Sequence, residues 1–298
     1  MRPNPTLKRL GFADTDRVAI IHVDDVGMCH ASVEAFADLA EAGRISSAAL
    51  MSAAPWFPSA AAYCRERPHV DVGVHLTLTS EWAAYRWRPV SAAALSSGIV
   101  DRHGYFFPSV QRLWAHATVN AVEDELQAQI DAAVAAGVVP THLDTHMFAL
   151  FHPKLLPSYI SVAVKNGLPP LAVRLDQAGW VAHGLQPEAA KATAAMMWRL
   201  EESGFPMVDR LAKIVVRPGE PPSAAARRAL DALKPGITHL IIHPAKDSAE
   251  LRGMTPLWGK RVNEYQAFMD AAVLDFAEKQ GVQLMGYAAF RAALPRSS

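Results

Sequence analysis

The sequence predicts an α/β fold: an imperfect (β/α) barrel of the TIM-barrel kind, with parallel strands and an insertion after the third strand. Two observations carry this. Short apolar runs rich in Val, Ile and Leu alternate with longer helical patterns about eight times over ~280 residues. The runs are continuous rather than alternating, as in parallel strands buried on both faces. An open doubly wound sheet is the second choice.

The strands fall, in order, at Arg17–Val23, Ser46–Met51, Asp71–Thr77, His142–Asp144, Ala172–Leu175, Ala212–Val216, His239–His243 and Val282–Tyr287. Helices are expected at His30–Ala42, Pro58–Arg67, Asn120–Ala136, Pro153–Asn166, Pro187–Ser203, Ser223–Leu233 and Val262–Gln280. The pattern is clearest from Asn120. That residue can cap the helix, with Glu123 placed as in a capping box. Val122, Leu126, Ile130 and Val134 make one apolar stripe, and Gly137 suits the left-handed position after the last turn.

The whole chain, 1–298, reads as one domain with no repeat of 20–50 residues. Glu81–Pro108 breaks the pattern, being long, aromatic and without period. Such a segment is expected to be a substrate-facing loop. Gly253–Lys260 looks like a second loop of this kind.

Charge and composition narrow the function. Twenty-nine Lys+Arg balance 29 Asp+Glu, so there is no basic excess to draw a nucleic acid. With 51% hydrophobic and 19% charged residues, the chain is globular. No apolar run approaches the ~20 residues of a membrane span, so no membrane partner is expected. The N-terminus lacks an apolar signal region, and Cys29 and Cys64 have no CxxC spacing, so a cytoplasmic protein with two reduced thiols is expected. The conspicuous count is 12 His. Histidine is the commonest metal ligand and titrates nearest neutral pH.

In parallel β/α folds the active site lies at the C-terminal ends of the strands. Four expected strand ends carry Asp or His: His22-Val-Asp24-Asp25, Gly73-Val-His75, His142-Leu-Asp144-Thr-His146 and His239-Leu-Ile-Ile-His243. Adjacent strand residues point to opposite faces, but a turn at the strand end lets Asp24 and Asp25 reach one site. Alternatively, one of them caps the next helix. A lone His75 in VGVHLTL can also be a core histidine. His142 and His146 have the i, i+4 spacing of zinc proteases, but the segment reads as strand into loop, so only one of the two need be a ligand. Together these positions suggest one Asp and two His on a metal, a free carboxylate as base and a further His as acid.

The segments HVDDVGMCHASVEAF, VGVHLTLTSEW, PTHLDTHM and HLIIHPA resemble the YdjC-like carbohydrate deacetylases, also called the ChbG/HpnK family, in the same order from about Val18 to Leu251. The resemblance implies an imperfect (β/α) barrel. It also implies removal of an acetyl group from an N-acetylated sugar or oligosaccharide by attack of metal-bound water. Carried over, Asp25, His75 and His142 would be the metal ligands, Asp24 the general base and His243 the general acid. Asp144 and His146 would lie behind the ligands or line the pocket. Arg174 would pair with Asp24 or with substrate hydroxyls, unless it makes a surface salt bridge. One divalent ion is implied. The donor set favours zinc, with magnesium or another divalent ion as alternatives. A homodimer is expected on family analogy alone.

The chain departs from the family pattern in three places. The family often has another His shortly after HxDxH, where this chain reads Met-Phe-Ala-Leu-Phe-His152-Pro. The late motif reads Pro244-Ala245 instead of Pro-Gly. The insertion brings Trp82, Tyr85, Trp87 and Tyr105, whose rings could stack on a sugar or simply pack. Two other functions compete: a metal-dependent sugar isomerase or lyase, for which Lys246 is the only Lys near a strand end, and a non-catalytic sugar-binding relative.

Overall fold

The computed structural model describes residues 3–295. Seven strands form one parallel sheet: β1 (Arg17–Val26), β2 (Ser47–Leu50), β3 (Val72–Leu76), β4 (Leu143–Thr145), β5 (Arg210–Lys213), β6 (Gly236–Ile242) and β7 (Val282–Leu284). The order is β4-β3-β2-β1-β6-β5, and β7 pairs with β1. One edge of β1 takes β6 along residues 17–23. The other edge is shared, with β7 on residues 17–19 and β2 from His22 onward. Helices surround the curled sheet, and all seven residues of β6 and nine of ten in β1 are buried. That two-sided burial is why these runs are continuously apolar.

The expected strand at Ala172–Leu175 is reduced to isolated bridges, Leu143 with Pro170 and Val173 with Val208. Pro169 and Pro170 supply no N–H to a ladder. The segment nevertheless spans β4 and the start of β5: Leu171 N–H donates to Leu143 O (2.7 Å) and Arg174 N–H to Val208 O (2.9 Å). It closes the wall where a regular strand would stand. Expected Ala212–Val216 is shifted back to Arg210–Lys213.

The helix expected from Asn120 runs Val119–Ala135, and Thr118 is its first cap, without a side-chain bond. Glu123 does not close a capping box; it accepts from Ser161 Oγ (2.9 Å). Val122, Leu126 and Ile130 are buried, but Val134 is 55% exposed. A strict i+4 repeat drifts around a helix of 3.6 residues per turn, so the stripe leaves the core. The buried face instead includes Glu125 and Gln129. Glu125 accepts from Val90 N–H (2.9 Å) and Ser91 N–H (2.8 Å), anchoring the insertion after β3.

The long helix expected at Val262–Gln280 is two, Trp258–Met269 and Ala271–Lys279, divided at Asp270, whose side chain caps the second. The expected loop Gly253–Lys260 is mostly helical, with only Thr255–Leu257 between Ala249–Met254 and Trp258–Met269. Cys29 and Cys64 are buried and unpaired. No helix among the described residues is long and apolar enough to cross a membrane.

Candidate metal and catalytic centre

The centre is built where β1, β3, β4 and β6 end. The β1–β2 register shifts between Val23 and Val26, and Asp25 has φ +61°. Asp tolerates this left-handed conformation better than most residues. The irregularity lets adjacent Asp24 and Asp25 serve one mouth instead of opposite faces.

Asp25, His75 and His146 converge, all buried. Asp25 Oδ1 lies 3.0 Å from His146 Nδ1 and 3.4 Å from His75 Nε2, and the two nitrogens are 3.3 Å apart. Asp25 Oδ1 accepts no hydrogen bond among the described residues. Four-coordinate zinc with ligand bonds of ~2.0–2.2 Å spaces its donors by about 3.4 Å, so this triangle fits a divalent ion. The far side of each group is also held. His75 Nδ1 meets Asp144 Oδ2 (3.0 Å), His146 Nε2 meets Glu81 Oε1 (2.9 Å), and Arg261 Nη2 donates to Asp25 Oδ2 (2.7 Å). Carboxylates behind metal-binding imidazoles fix the ring and raise its basicity.

The electrostatics agree with a cation seat. Burial opposes charge on His146, but Glu81 and Asp25 hold its pKa up at about 9. Burial likewise opposes charge on His75, and Asp144 with Asp25 holds it well above the ordinary value. Burial raises Asp25, yet Arg261 and His146 keep it well below the usual carboxylate range. These neighbours favour positive charge at this position, which one divalent ion can supply.

His142, given as a ligand by the resemblance, stands outside this group. Its Nε2 faces His22 Nε2 (2.9 Å), and its ring stacks on Tyr287 at 4.0 Å. The residue that stands with Asp25 and His75 is His146. The reason is depth, since His142 precedes β4 whereas His146 follows its last residue. Arg174 is buried, with its Nε 2.6 Å from Glu201 and its Nη1 2.7 Å from Asp209. The arginine beside the centre is Arg261.

Asp24 and His243 flank the triad. Asp24 Oδ1 meets His22 Nδ1 (2.7 Å), and Asp24 Oδ2 lies 3.8 Å from His243 Nε2. Burial and Asp144 push the Asp24 carboxyl up, but the His22 bond and the His75 and His22 charges outweigh them, holding it below its ordinary value. His243 keeps 23% of its side chain exposed, and its backbone N–H donates to Glu264 (2.6 Å).

A family model of YdjC-like proteins matches residues 18–279. The chain belongs to the YdjC-like family. A relative named carbohydrate deacetylase from Thermus thermophilus is 34% identical over 263 residues, 88% of this chain and 89% of its own length. Another of that name, from Thermoanaerobacter pseudethanolicus, is 25% identical over 268 residues, covering 90% and 97%. The fold is similar to the crystal structure of a putative cellobiose-phosphate cleavage protein from Enterococcus faecalis: TM-score 0.76, 21% identity, covering 94% of this chain and all of that one.

Within this YdjC-like chain, sequence reasoning missed Glu81, Arg261 and Glu264. The last two lie three residues apart on Trp258–Met269, on the buried face with Ala267 and Phe268. Charged residues in an apolar stripe were the available signal. Of the insertion's aromatics, Trp87 is 2% exposed and donates to Thr79 O (2.8 Å), and Tyr85 donates to Met28 O (2.8 Å). Arg86 and Arg88 both lie over the Tyr105 ring. These three pack. Trp82 is half-buried over Arg261, with 5.8 Å between guanidinium and ring.

Proposed function

We propose that this YdjC-like protein is a metal-dependent carbohydrate deacetylase that hydrolyses the acetamide of an N-acetylated sugar. The observation that carries the reading is a pairing at one mouth: a cation-ready Asp25–His75–His146 triangle beside Asp24 and His243. A non-catalytic sugar binder needs no such base and acid together. Lys246, the lysine an isomerase or lyase reading would recruit, is salt-bridged to Asp38 (2.8 Å).

Asp25, His75 Nε2 and His146 Nδ1 would hold the divalent ion. When bound, the ion would polarise the acetamide carbonyl and acidify water. Asp24 Oδ2 takes the proton of the attacking water. His243 Nε2 delivers a proton to the sugar nitrogen as its bond to the acetyl carbon breaks, leaving acetate and an amine. At 3.8 Å, Asp24 and His243 can serve one substrate from two sides without quenching each other in a hydrogen bond. The proton gained by Asp24 then restores His243. Trp82 offers the sugar a half-open aromatic face, and the 81–108 insertion forms that wall.

Release of acetate from a panel of N-acetylated mono- and oligosaccharides tests the reading, with zinc or magnesium content measured on the same protein. Metal-dependent acetate release is expected from at least one sugar. Turnover that survives both chelation and His243→Ala would overturn it.

A further inference from the structure

Beneath the proposed ion seat lies a second histidine layer that the mechanism above does not use. Asp24 Oδ1 meets His22 Nδ1 at 2.7 Å. His22 Nε2 meets His142 Nε2 at 2.9 Å. His142 Nδ1 meets Thr141 Oγ1 at 2.9 Å, and Thr141 Oγ1 donates to Asp71 Oδ1 at 2.5 Å. The line runs from the mouth through the barrel wall to Asp71, whose side chain is 13% exposed.

The chain is packed for this line. A Cβ on Gly73 would stand 2.6 Å from the His142 ring, and one on Gly286 would overlap Asp71 Oδ2. Neither glycine has a positive φ, so close approach rather than backbone conformation accounts for both. Tyr287 stacks on the other face of His142 at an interplanar angle of 16°.

Hydrogen-bond counting sets the direction. Asp71 accepts from Thr141 and Ser47 (3.1 Å) at Oδ1 and from Ala288 N–H (2.7 Å) at Oδ2, the pattern of an ionised, acceptor-only carboxylate. Thr141 has one hydroxyl proton and two acceptors for it, Asp71 Oδ1 and Val72 O (3.2 Å). With that proton on either, its oxygen accepts from His142 Nδ1–H. Burial and the neighbouring His22 hold His142 well below the ordinary imidazole range, so it carries only that proton and its Nε2 accepts. His22 Nε2–H must then donate, and His22 Nδ1–H donates to Asp24.

We propose that Asp71, Thr141, His142 and His22 form a directional strut that pins Oδ1 of Asp24 and leaves Oδ2 as the oxygen that takes the water's proton. His22 and His142 are positioning residues, and Thr141, facing two acceptors, sets the direction from the far end. The role given to Asp24 rests on the deacetylase reading; the wiring does not.

The test is the proton pattern of the histidine rings, read by long-range proton–nitrogen spectra of the full chain labelled with ¹⁵N-histidine. His142→Gln assigns the His142 signals. The expected pattern is His142 protonated on Nδ1 only and His22 on both nitrogens. Thr141→Val supplies the decisive shift, because it removes the oxygen that accepts from His142 Nδ1. The direction then reverses: His142 moves its proton to Nε2, and His22 loses the proton on its Nε2. In the kinetic arm, Thr141→Val and His142→Gln should each lower kcat roughly 10–100-fold, with KM unchanged and one bound ion retained.

A wild-type His142 protonated on Nε2, or a pattern unmoved by Thr141→Val, overturns the strut. So does loss of the ion in His142→Gln, or a second ion bound among His22, Asp24, Asp144 and His239. Correct ring patterns in a protein that deacetylates no sugar would leave the strut standing and remove the deacetylase reading.

Discussion

The barrel holds two histidine layers of the same chemistry whose rings are shifted in opposite directions. At the mouth, His75 and His146 are held up, His146 to about 9. Below them, His142 and His239 are held down, His239 to about 4. Burial is complete in both layers and favours the neutral ring in each, so it does not make the difference. The neighbours do. Mouth histidines meet carboxylates: Glu81, Asp25 and Asp144. Lower histidines meet His22, whose charge opposes theirs. An imidazole set between carboxylates is a place for a cation, and one set against imidazoles is a neutral link. Residue type alone does not distinguish them.

The most forceful way to break this comparison is to remove one ring from each layer. His146→Ala should empty the ion seat and lower acetate release by at least roughly 10³-fold, the several kcal/mol that an ion contributes to a polarised carbonyl. His142→Ala should keep the ion. Metal analysis beside turnover decides, and the reverse result would exchange the roles of the two layers. His243→Ala comes next. It removes the proton donor without touching the triangle, so kcat should fall roughly 10²-fold with full metal content. A smaller effect sharpens the cause: Glu81→Gln removes the charge behind His146. Ion affinity should weaken roughly tenfold, measured by competition with a chelating dye.

How far the two layers were legible follows from period and depth. His142, Asp144 and His146 alternate toward one face, as do His22 and Asp24, so the sequence does bring both groups into the barrel. Depth is harder to read. β4 spans only Leu143–Thr145, and a shift of two residues along it separates a mouth ligand from a buried link. The resemblance pointed to this segment and to its deeper ring, whereas His146 is the one that stands beside Asp25 and His75. Asp24, Asp25, His75 and His243 were legible as candidates because each lies at the end of an apolar run that reads as a buried strand. Arg261 and Glu264 were not, because they come from a helix more than 200 residues after β1. The partners of Arg174 were not legible because an arginine at a strand-like end can turn to either side of the wall. Here Glu201 and Asp209 lie against it.

The mildest test needs no mutation. Without an ion, His146 has a folded-state pKa of about 9 against an ordinary value of 6.5. A raised pKa means that the folded state binds the proton more tightly than the unfolded chain does. The resulting stability is fully present below pH 6.5 and is lost as pH rises through about 9. His75 adds to this with the same sign. Asp25 has the opposite sign, but its pKa is depressed from 3.8, so its contribution fades only in acid, outside this window. Chelated protein should therefore lose about 5–10 °C of Tm between pH 6.5 and 9. Ion-loaded protein should be nearly flat over that range, because the ion already displaces both protons. The lower layer sharpens the contrast. His142 and His239 are neutral throughout this range and contribute no slope, so His142→Gln should leave the difference between chelated and loaded protein unchanged. His146→Ala should erase most of it.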